Sequence, residues 1–236
     1  MTIGILYLIP VTLGDDNINQ VLPPKVVKIA QNLENFVVES EKSARYFLST
    51  IKTAKPVREL ALNLLNEHTP DKDVAALLAP LLAGKDVGLM SDAGCPAIAD
   101  PGAKLVALAH QKGIRVLPLV GPSSILLSLM ASGLNGQSFA FLGYLPVDKA
   151  QRIQKLKEIE KRAQTHHETQ IFIETPYRNM HMLEAILSTC NANTRLCIAS
   201  QISMADEFIV TKRISEWKQS TLPDLHKKPM VFLLLA

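Results

Sequence analysis

The stretch Ser91-Asp92-Ala93-Gly94-Cys95-Pro96-Ala97-Ile98-Ala99-Asp100-Pro101-Gly102 decides how the chain is read. It directly follows Val87-Gly88-Leu89-Met90, a continuous apolar run of the kind that forms a strand covered on both faces. It leads into a helical pattern over 101–112, with Pro101 expected in the first turn and Gly113 as terminator. In an open α/β sheet, the crevice beyond the carboxyl ends of the strands is where ligands bind. Glycines, prolines and small side chains let such a loop hold its shape while its backbone approaches a ligand closely. The same residues also suit a tight strand-to-helix connection, with Asp92 and Asp100 as turn and cap residues. Cys95 has no histidine nearby in sequence and no charged neighbours, which argues against a nucleophilic thiolate.

Outward from this loop, short apolar runs alternate with longer stretches at helical spacing, the pattern of an α/β protein with largely parallel sheets. Strands are expected at 3–9, 36–39, 87–91 and 114–119, then at 139–142, 170–173, 195–200, 207–211 and 230–235. Helices are expected at 41–52, 71–83, 101–112, 125–132, 149–163 and 176–188. Pro80 interrupts the second of these. The helix at 149–163 carries Lys, Arg and Glu on most faces and reads as a solvated surface helix. Segment 54–69 fits a helix or a strand, because Val57, Leu60, Leu64 and Leu65 satisfy both periods. A second strand-to-helix loop, Leu117-Pro118-Leu119-Val120-Gly121-Pro122-Ser123-Ser124, would face the same crevice if its strand neighbours the first. Taken alone it is ordinary helix capping.

Composition narrows the class. The chain has 236 residues, 47% hydrophobic and 20% charged, enough for one large or two small domains. A net charge of +3 is compatible with RNA without pointing to it. Three cysteines without Cys-x-x-Cys spacing argue against a disulfide scaffold or a structural zinc site. His166-His167 lie in a polar stretch, so no metal site is expected. The apolar ends, 3–9 and 230–235, are too short to span a membrane. The first has no basic segment before it and reads as a strand, not a signal peptide. A cytoplasmic protein, ending on its last strand at Ala236, is the expectation.

The two loops resemble, in order and spacing, a known family. The likeness continues through Gly133-Leu134, Gly143-Tyr144-Leu145-Pro146 and Ile173-Glu174-Thr175-Pro176-Tyr177-Arg178, covering nearly the whole chain. The sequence is similar to the tetrapyrrole (corrin/porphyrin) methylase superfamily of S-adenosylmethionine-dependent methyltransferases. Within it, the 91–102 loop resembles the branch of the ribosomal small-subunit RNA (cytidine-2′-O)-methyltransferases. The resemblance implies two α/β domains, 1–118 and 119–236, with the cofactor cleft between them, and a homodimer. It implies that Pro10, Ala93, Gly94, Cys95, Ile98, Ser123 and Ser124 contact S-adenosyl-L-methionine. A hydroxyl acceptor would also need a base, and Glu39, Glu174 and Arg178 stand at matching motif positions. Glu39 and Glu174 could accept a proton, and Arg178 could clamp a phosphate. Each also has a plain structural reading: the acids as helix caps, the arginine as the partner of Glu174. Lys42 and Arg45, with Arg178, are the expected phosphate contacts.

This chain departs from the branch in its shorter first loop, Ile9-Pro10-Val11-Thr12-Leu13-Gly14-Asp15. It departs also in Glu39-Ser40-Glu41-Lys42 and in Ser200-Gln201-Ile202-Ser203-Met204, where charged residues are replaced. Three functions are therefore carried forward: a methyltransferase acting on RNA or a ribosomal subunit, a methylase of a tetrapyrrole-like small molecule, and a cofactor-binding module without catalysis.

Overall fold

The computed structural model describes residues 2–14 and 18–236. Asp15 of the first loop lies outside the described residues. Contacts group the chain into two units, 1–123 and 124–236. Residues 119–123 group with the first unit, where Leu119 N–H donates to Leu8 O at 3.0 Å.

The first unit is built on a five-stranded sheet in the order β3-β2-β4-β1-β5. Its strands are β1 (Ile5–Leu8), β2 (Asn35–Val38), β3 (Ala61–Leu64), β4 (Val87–Met90) and β5 (Arg115–Pro118). All pair in parallel, so their carboxyl ends and the loops that follow share one edge. Every residue of the central strand β4 is buried, as its unbroken apolar run requires. A Cβ at Gly88 would lie 2.5 Å from Ile9 Cδ1 and 2.9 Å from Phe36 Cδ1, so those side chains close over the middle of the strand. Between the strands run α1 (Ile18–Val21), α2 (Pro24–Asn32), α3 (Glu41–Thr50), α4 (Asp71–Val74), α5 (Ala79–Leu82) and α6 (Ala103–Gln111).

One open reading is decided here and two expectations are corrected. The ambiguous 54–69 segment is the edge strand β3, preceded by a short 3-10 turn at Val57–Glu59. The 71–83 helix is broken: a 3-10 turn at Ala75–Leu78 separates α4 from α5, and Pro80, which lacks an N–H, opens the second piece. Pro101 precedes the helix instead of opening it. Gly102, at φ 135°, is the cap residue, and α6 begins at Ala103.

The second unit carries a mixed sheet, β6-β7-β10-β8-β9. Its strands are β6 (Phe139–Tyr144), β7 (Thr169–Ile173), β8 (Arg195–Ser200), β9 (Phe208–Arg213) and β10 (Met230–Leu235). Only β6 and β7 pair in parallel. The apolar run of β10 is central and wholly buried, and Phe232 stacks on Phe172 with ring centroids 5.7 Å apart. Helices α7 (Ser124–Ser132), α8 (Lys149–His166), α9 (Asn179–Thr189) and α10 (Ile214–Gln219) complete the unit. Trp217 of α10 is buried and donates its indole N–H to Leu196 O at 2.9 Å.

Helix α8 is not solvated all round. Arg152, Leu156, Ile159 and Ala163 form one buried stripe at spacings of three and four, and the remaining faces hold its charges. His167 closes this helix in the left-handed conformation, with φ 50°. No helix of the described residues is long and apolar enough to cross a membrane.

Candidate active site

The parallel sheet of the first unit brings four loops to one edge, and hydrogen bonds tie them together. Val11 N–H, after β1, donates to Gly94 O at 2.9 Å, which forms an isolated antiparallel bridge. Glu39 N–H, after β2, donates to Met90 O at 3.3 Å. Cys95 Sγ donates to Pro122 O at 3.3 Å, fastening the 91–102 loop to the loop after β5. Gly121 lies against Pro10, where an added Cβ would come within 2.2 Å of the proline ring. The two motifs read from the sequence are thus held side by side, with Pro10 between them and the first strand.

The 91–102 loop has an unusual backbone. Gly94 and Gly102 have φ 72° and 135°, and Ala97 and Ala99 also lie at positive φ, 66° and 62°. Left-handed conformation at a residue with a Cβ is unfavourable, so the loop's shape is imposed by its surroundings. Asp92, Ala93, Ile98 and Ala99 of the loop are exposed, whereas Gly94 is buried. A Cβ at Gly94 would sit 3.1 Å from Leu13 Cδ2 and 3.6 Å from Pro122 O, so that residue closes a cradle between the first loop and the 119–123 loop. Ile98 is half exposed, at 49%. Burial pushes the Cys95 thiol above its ordinary value, which keeps it protonated and unreactive near neutral pH.

Beside the loop lies a hollow of about 480 Å³. The first loop contributes Val11 and Thr12, α3 contributes Lys42 and Tyr46, and Ser91 and Asp92 form the floor near β4. The sequence reading of Glu39 as a helix cap is corrected: Ser40 caps α3, accepting from Ser43 N–H at 3.5 Å. Glu39 instead turns to the loop and accepts the Asp92 N–H at 3.1 Å. Arg45 is tied to Glu41 at 2.9 Å and is not among the residues lining the hollow, whereas Lys42 is.

Sequence reasoning missed Asp100 as a site residue. Burial, then the Glu39 carboxylate, raise its pKa to about 6, with Asp92 adding to the rise and a hydrogen bond from Ser91 opposing it. Glu39 is raised too, chiefly by burial. Asp100, raised to about 6, can exchange a proton close to neutral pH, as a general base requires. Among the described residues no cluster of three His, Cys, Asp or Glu is arranged to hold a metal ion.

The raised pKa of Asp100 has a consequence for stability. The folded protein binds its proton more tightly than the unfolded chain does, so the aspartate's contribution to stability is lost as pH rises from about 4 to about 6. Asp100→Asn is therefore expected to raise the melting temperature at pH 7.5, with the gain fading by about pH 4.5 as Asp100 becomes protonated. Thermal unfolding of both proteins across that range checks it.

In the second unit, Glu174 and Arg178 meet. The Glu174 side chain is 1% exposed, and its Oε1 accepts from Arg178 Nη2 at 2.5 Å and Nε at 2.9 Å. The same oxygen accepts the Thr175 N–H at 2.7 Å. The pair closes the turn between β7 and α9. Ser123 and Ser124 fall on the two sides of the unit boundary, and Ser124 opens α7.

Comparison with known proteins defines the class first by fold. The chain superposes on the crystal structure of the methyltransferase CobJ with a TM-score of 0.65 and 16% identity, covering 98% of this chain and 94% of that one. It superposes on uroporphyrin-III-C-methyltransferase from Thermus thermophilus with a TM-score of 0.56 and 18% identity, covering 98% and 92%. The two α/β units therefore have the fold expected from the sequence. No family model matches the chain.

Curated relatives make the identity more particular. Ribosomal RNA small subunit methyltransferase I of Vibrio cholerae is 29% identical over 232 residues, 98% of this chain and 76% of the relative. The protein of the same name from Escherichia coli O157:H7 is 30% identical over 207 residues, 87% of this chain and 68% of the relative. The chain belongs to the ribosomal RNA small subunit methyltransferase I family.

Proposed function

We propose that this protein transfers a methyl group from S-adenosyl-L-methionine to small-subunit ribosomal RNA, at a ribose 2′-hydroxyl. The observation that carries the reading is the 91–102 loop, a backbone cradle at the carboxyl edge of a parallel sheet, in a chain related along most of its length to ribosomal RNA methyltransferases. The loop fits the cofactor by its chemistry: small residues at Ala93 and Gly94, a backbone held in shape by Val11 and Pro122, and the apolar Ile98 half exposed. Pro10, Cys95, Ser123 and Ser124 complete the set that the motifs assign to it.

When bound, the cofactor supplies an activated methyl on a sulfonium, and a neutral thioether leaves. This chain must then align the acceptor and take its proton. Glu39, which accepts the Asp92 N–H of the loop, and Asp100, within the loop, are the groups proposed for the proton, since the pKa of each carboxylate is raised. Lys42, lining the hollow, is proposed to hold a phosphate of the acceptor strand. Glu174 and Arg178 are proposed to act as a pair that shapes the 174–178 turn. This role differs from the base and clamp expected of them singly.

Two measurements test the reading together: calorimetric titration with S-adenosylmethionine, and labelled methyl transfer to small ribosomal subunits from a strain lacking the corresponding enzyme. Ribose-linked label in the small-subunit RNA is the expected result. Cofactor binding without transfer to subunits would overturn it, in favour of a tetrapyrrole-like acceptor or a non-catalytic binding module.

We further propose that the protein works in the cytoplasm as a homodimer. Leu126 and Met130, one turn apart on α7, are 51% and 79% exposed, which supports an apolar face covered by a second copy. Met130→Glu should shift the mass measured by light scattering from dimer to monomer.

A further inference from the structure

We propose that the turn at Pro176-Tyr177-Arg178 and the segment His226-Lys227-Lys228 form a docking surface for single-stranded RNA, with Tyr177 as the stacking platform. The inference rests on the RNA acceptor proposed above and adds a place on the second unit that grips the strand.

Tyr177 is 69% exposed, an aromatic ring in water on a half-buried turn. The Lys227 ammonium lies 5.7 Å from its ring centroid, and the His226 ring meets it edge-on at 6.2 Å. A π-face flanked by a cation is the chemistry that holds an unpaired base and its phosphate together. The charge of the segment favours a polyanion: Lys227 and Lys228 outnumber Asp224, whose carboxylate already accepts the His226 N–H at 3.0 Å.

The arrangement is built rather than incidental. Asn179 is wholly buried, and its side-chain amide donates to Leu225 O at 3.0 Å and to Lys228 O at 2.8 Å, pinning one segment to the other. Lys227 N–H donates to Pro176 O at 3.0 Å, and Lys227 itself is held at φ 59°. The Glu174–Arg178 pair fixes the other side of the turn. A strained, pinned lysine beside an exposed tyrosine is costly to keep unless the surface is used, and pre-organisation lowers what a ligand must give up on binding.

Single-stranded RNA is favoured over duplex because stacking needs an unpaired base, whereas a duplex offers mainly phosphates and sugar hydroxyls.

The test uses the full chain and fluorescence anisotropy with a short, labelled, single-stranded oligocytidylate across salt concentration. Tyr177→Ala should weaken binding about tenfold or more, and Tyr177→Phe should keep it, since the ring survives. Lys227→Gln should make the log–log salt dependence shallower by about 0.7 unit. Circular dichroism of each variant confirms the fold. Binding by Tyr177→Ala equal to the parent's would overturn the inference, as would a parent that does not bind the oligonucleotide. Methyl transfer to small subunits is measured alongside. Transfer by the parent with a subunit KM unchanged in Tyr177→Ala and Lys227→Gln refutes this surface alone, and no transfer by the parent refutes the proposed function itself.

Discussion

Gly94→Leu is expected to abolish measurable binding of S-adenosylmethionine while leaving the protein folded. The residue sits at φ 72°, a backbone region that glycine occupies without the penalty a Cβ brings, with Ser91, Asp92 and Ala93 before it lining the hollow and its carbonyl accepting Val11 N–H. Leucine there costs about 1–2 kcal/mol in backbone strain, which is small beside the roughly 5–15 kcal/mol that holds a folded domain together. Its side chain would also push against Leu13 and toward Pro122, filling the space between the first loop and the 119–123 loop. An affinity at least about 100-fold weaker, or about 2.7 kcal/mol, is expected in calorimetry. Gly94→Ala should fall between, because its Cβ meets a leucine methyl that can yield by a few tenths of an ångström. A folded Gly94→Leu protein that binds the cofactor as tightly as the parent would remove the 91–102 loop from the cofactor site.

Strands of this chain are readable from sequence where burial on both faces forces unbroken apolar runs. Met230–Leu235 and Val87–Met90 are the clearest, and both are central in their sheets and fully buried. The edge strand Ala61–Leu64 is not readable in that way. It is mostly exposed, so its residues need not alternate strictly, and Val57 and Leu60 just before it continue a helical spacing. The break between α4 and α5 follows from Pro80, but where the 3-10 turn starts depends on packing that no local pattern records. Helix α8 reads as solvated from its sequence because its buried stripe includes Arg152, whose guanidinium donates to Val147 O at 2.8 Å and so enters the interior without looking apolar.

The loops of the site were legible, and the charges around them were not. Glu39 and Asp92 are 53 positions apart, and nothing local says that one accepts the other's N–H. They meet because β2 and β4 are neighbours in the sheet, so residues just beyond their ends come together. Asp100 is a further step removed: its raised pKa arises from burial and from these two carboxylates jointly. A sequence signal existed, in that acids follow two strand candidates of one parallel sheet, but it becomes a site only once strand order is known. The Glu174–Arg178 pair is the opposite case. A spacing of four with opposite charges already suggested it, and what the structure adds is that the acid is almost wholly buried.

That burial makes Arg178→Met the second large effect expected. Glu174 is 1% exposed on its side chain, and Arg178 supplies two of the three donors that its Oε1 accepts. Methionine keeps much of the length and packing of the arginine stem and removes the guanidinium, leaving a buried carboxylate with the Thr175 N–H alone. Breaking a buried pair on one side costs about 3 kcal/mol, because the remaining charge stays desolvated. For a protein of this size that is a fall in melting temperature of roughly 6–12 °C. Neutralising the partner as well, in Glu174→Gln with Arg178→Met, should recover much of the loss, since a neutral amide is far cheaper to bury than a lone charge. Thermal unfolding of the two single variants and the double variant measures the coupling directly. If Arg178→Met melts with the parent, the pair does not hold the 174–178 turn, and its residues return to the singly acting base and clamp. If it melts lower and the double variant recovers, the pair's work is to fix the turn on which Tyr177 stands. Weakened RNA binding by Arg178→Met would then follow from a loosened platform, and rescue of that binding in the double variant would separate this from a direct phosphate contact by Arg178.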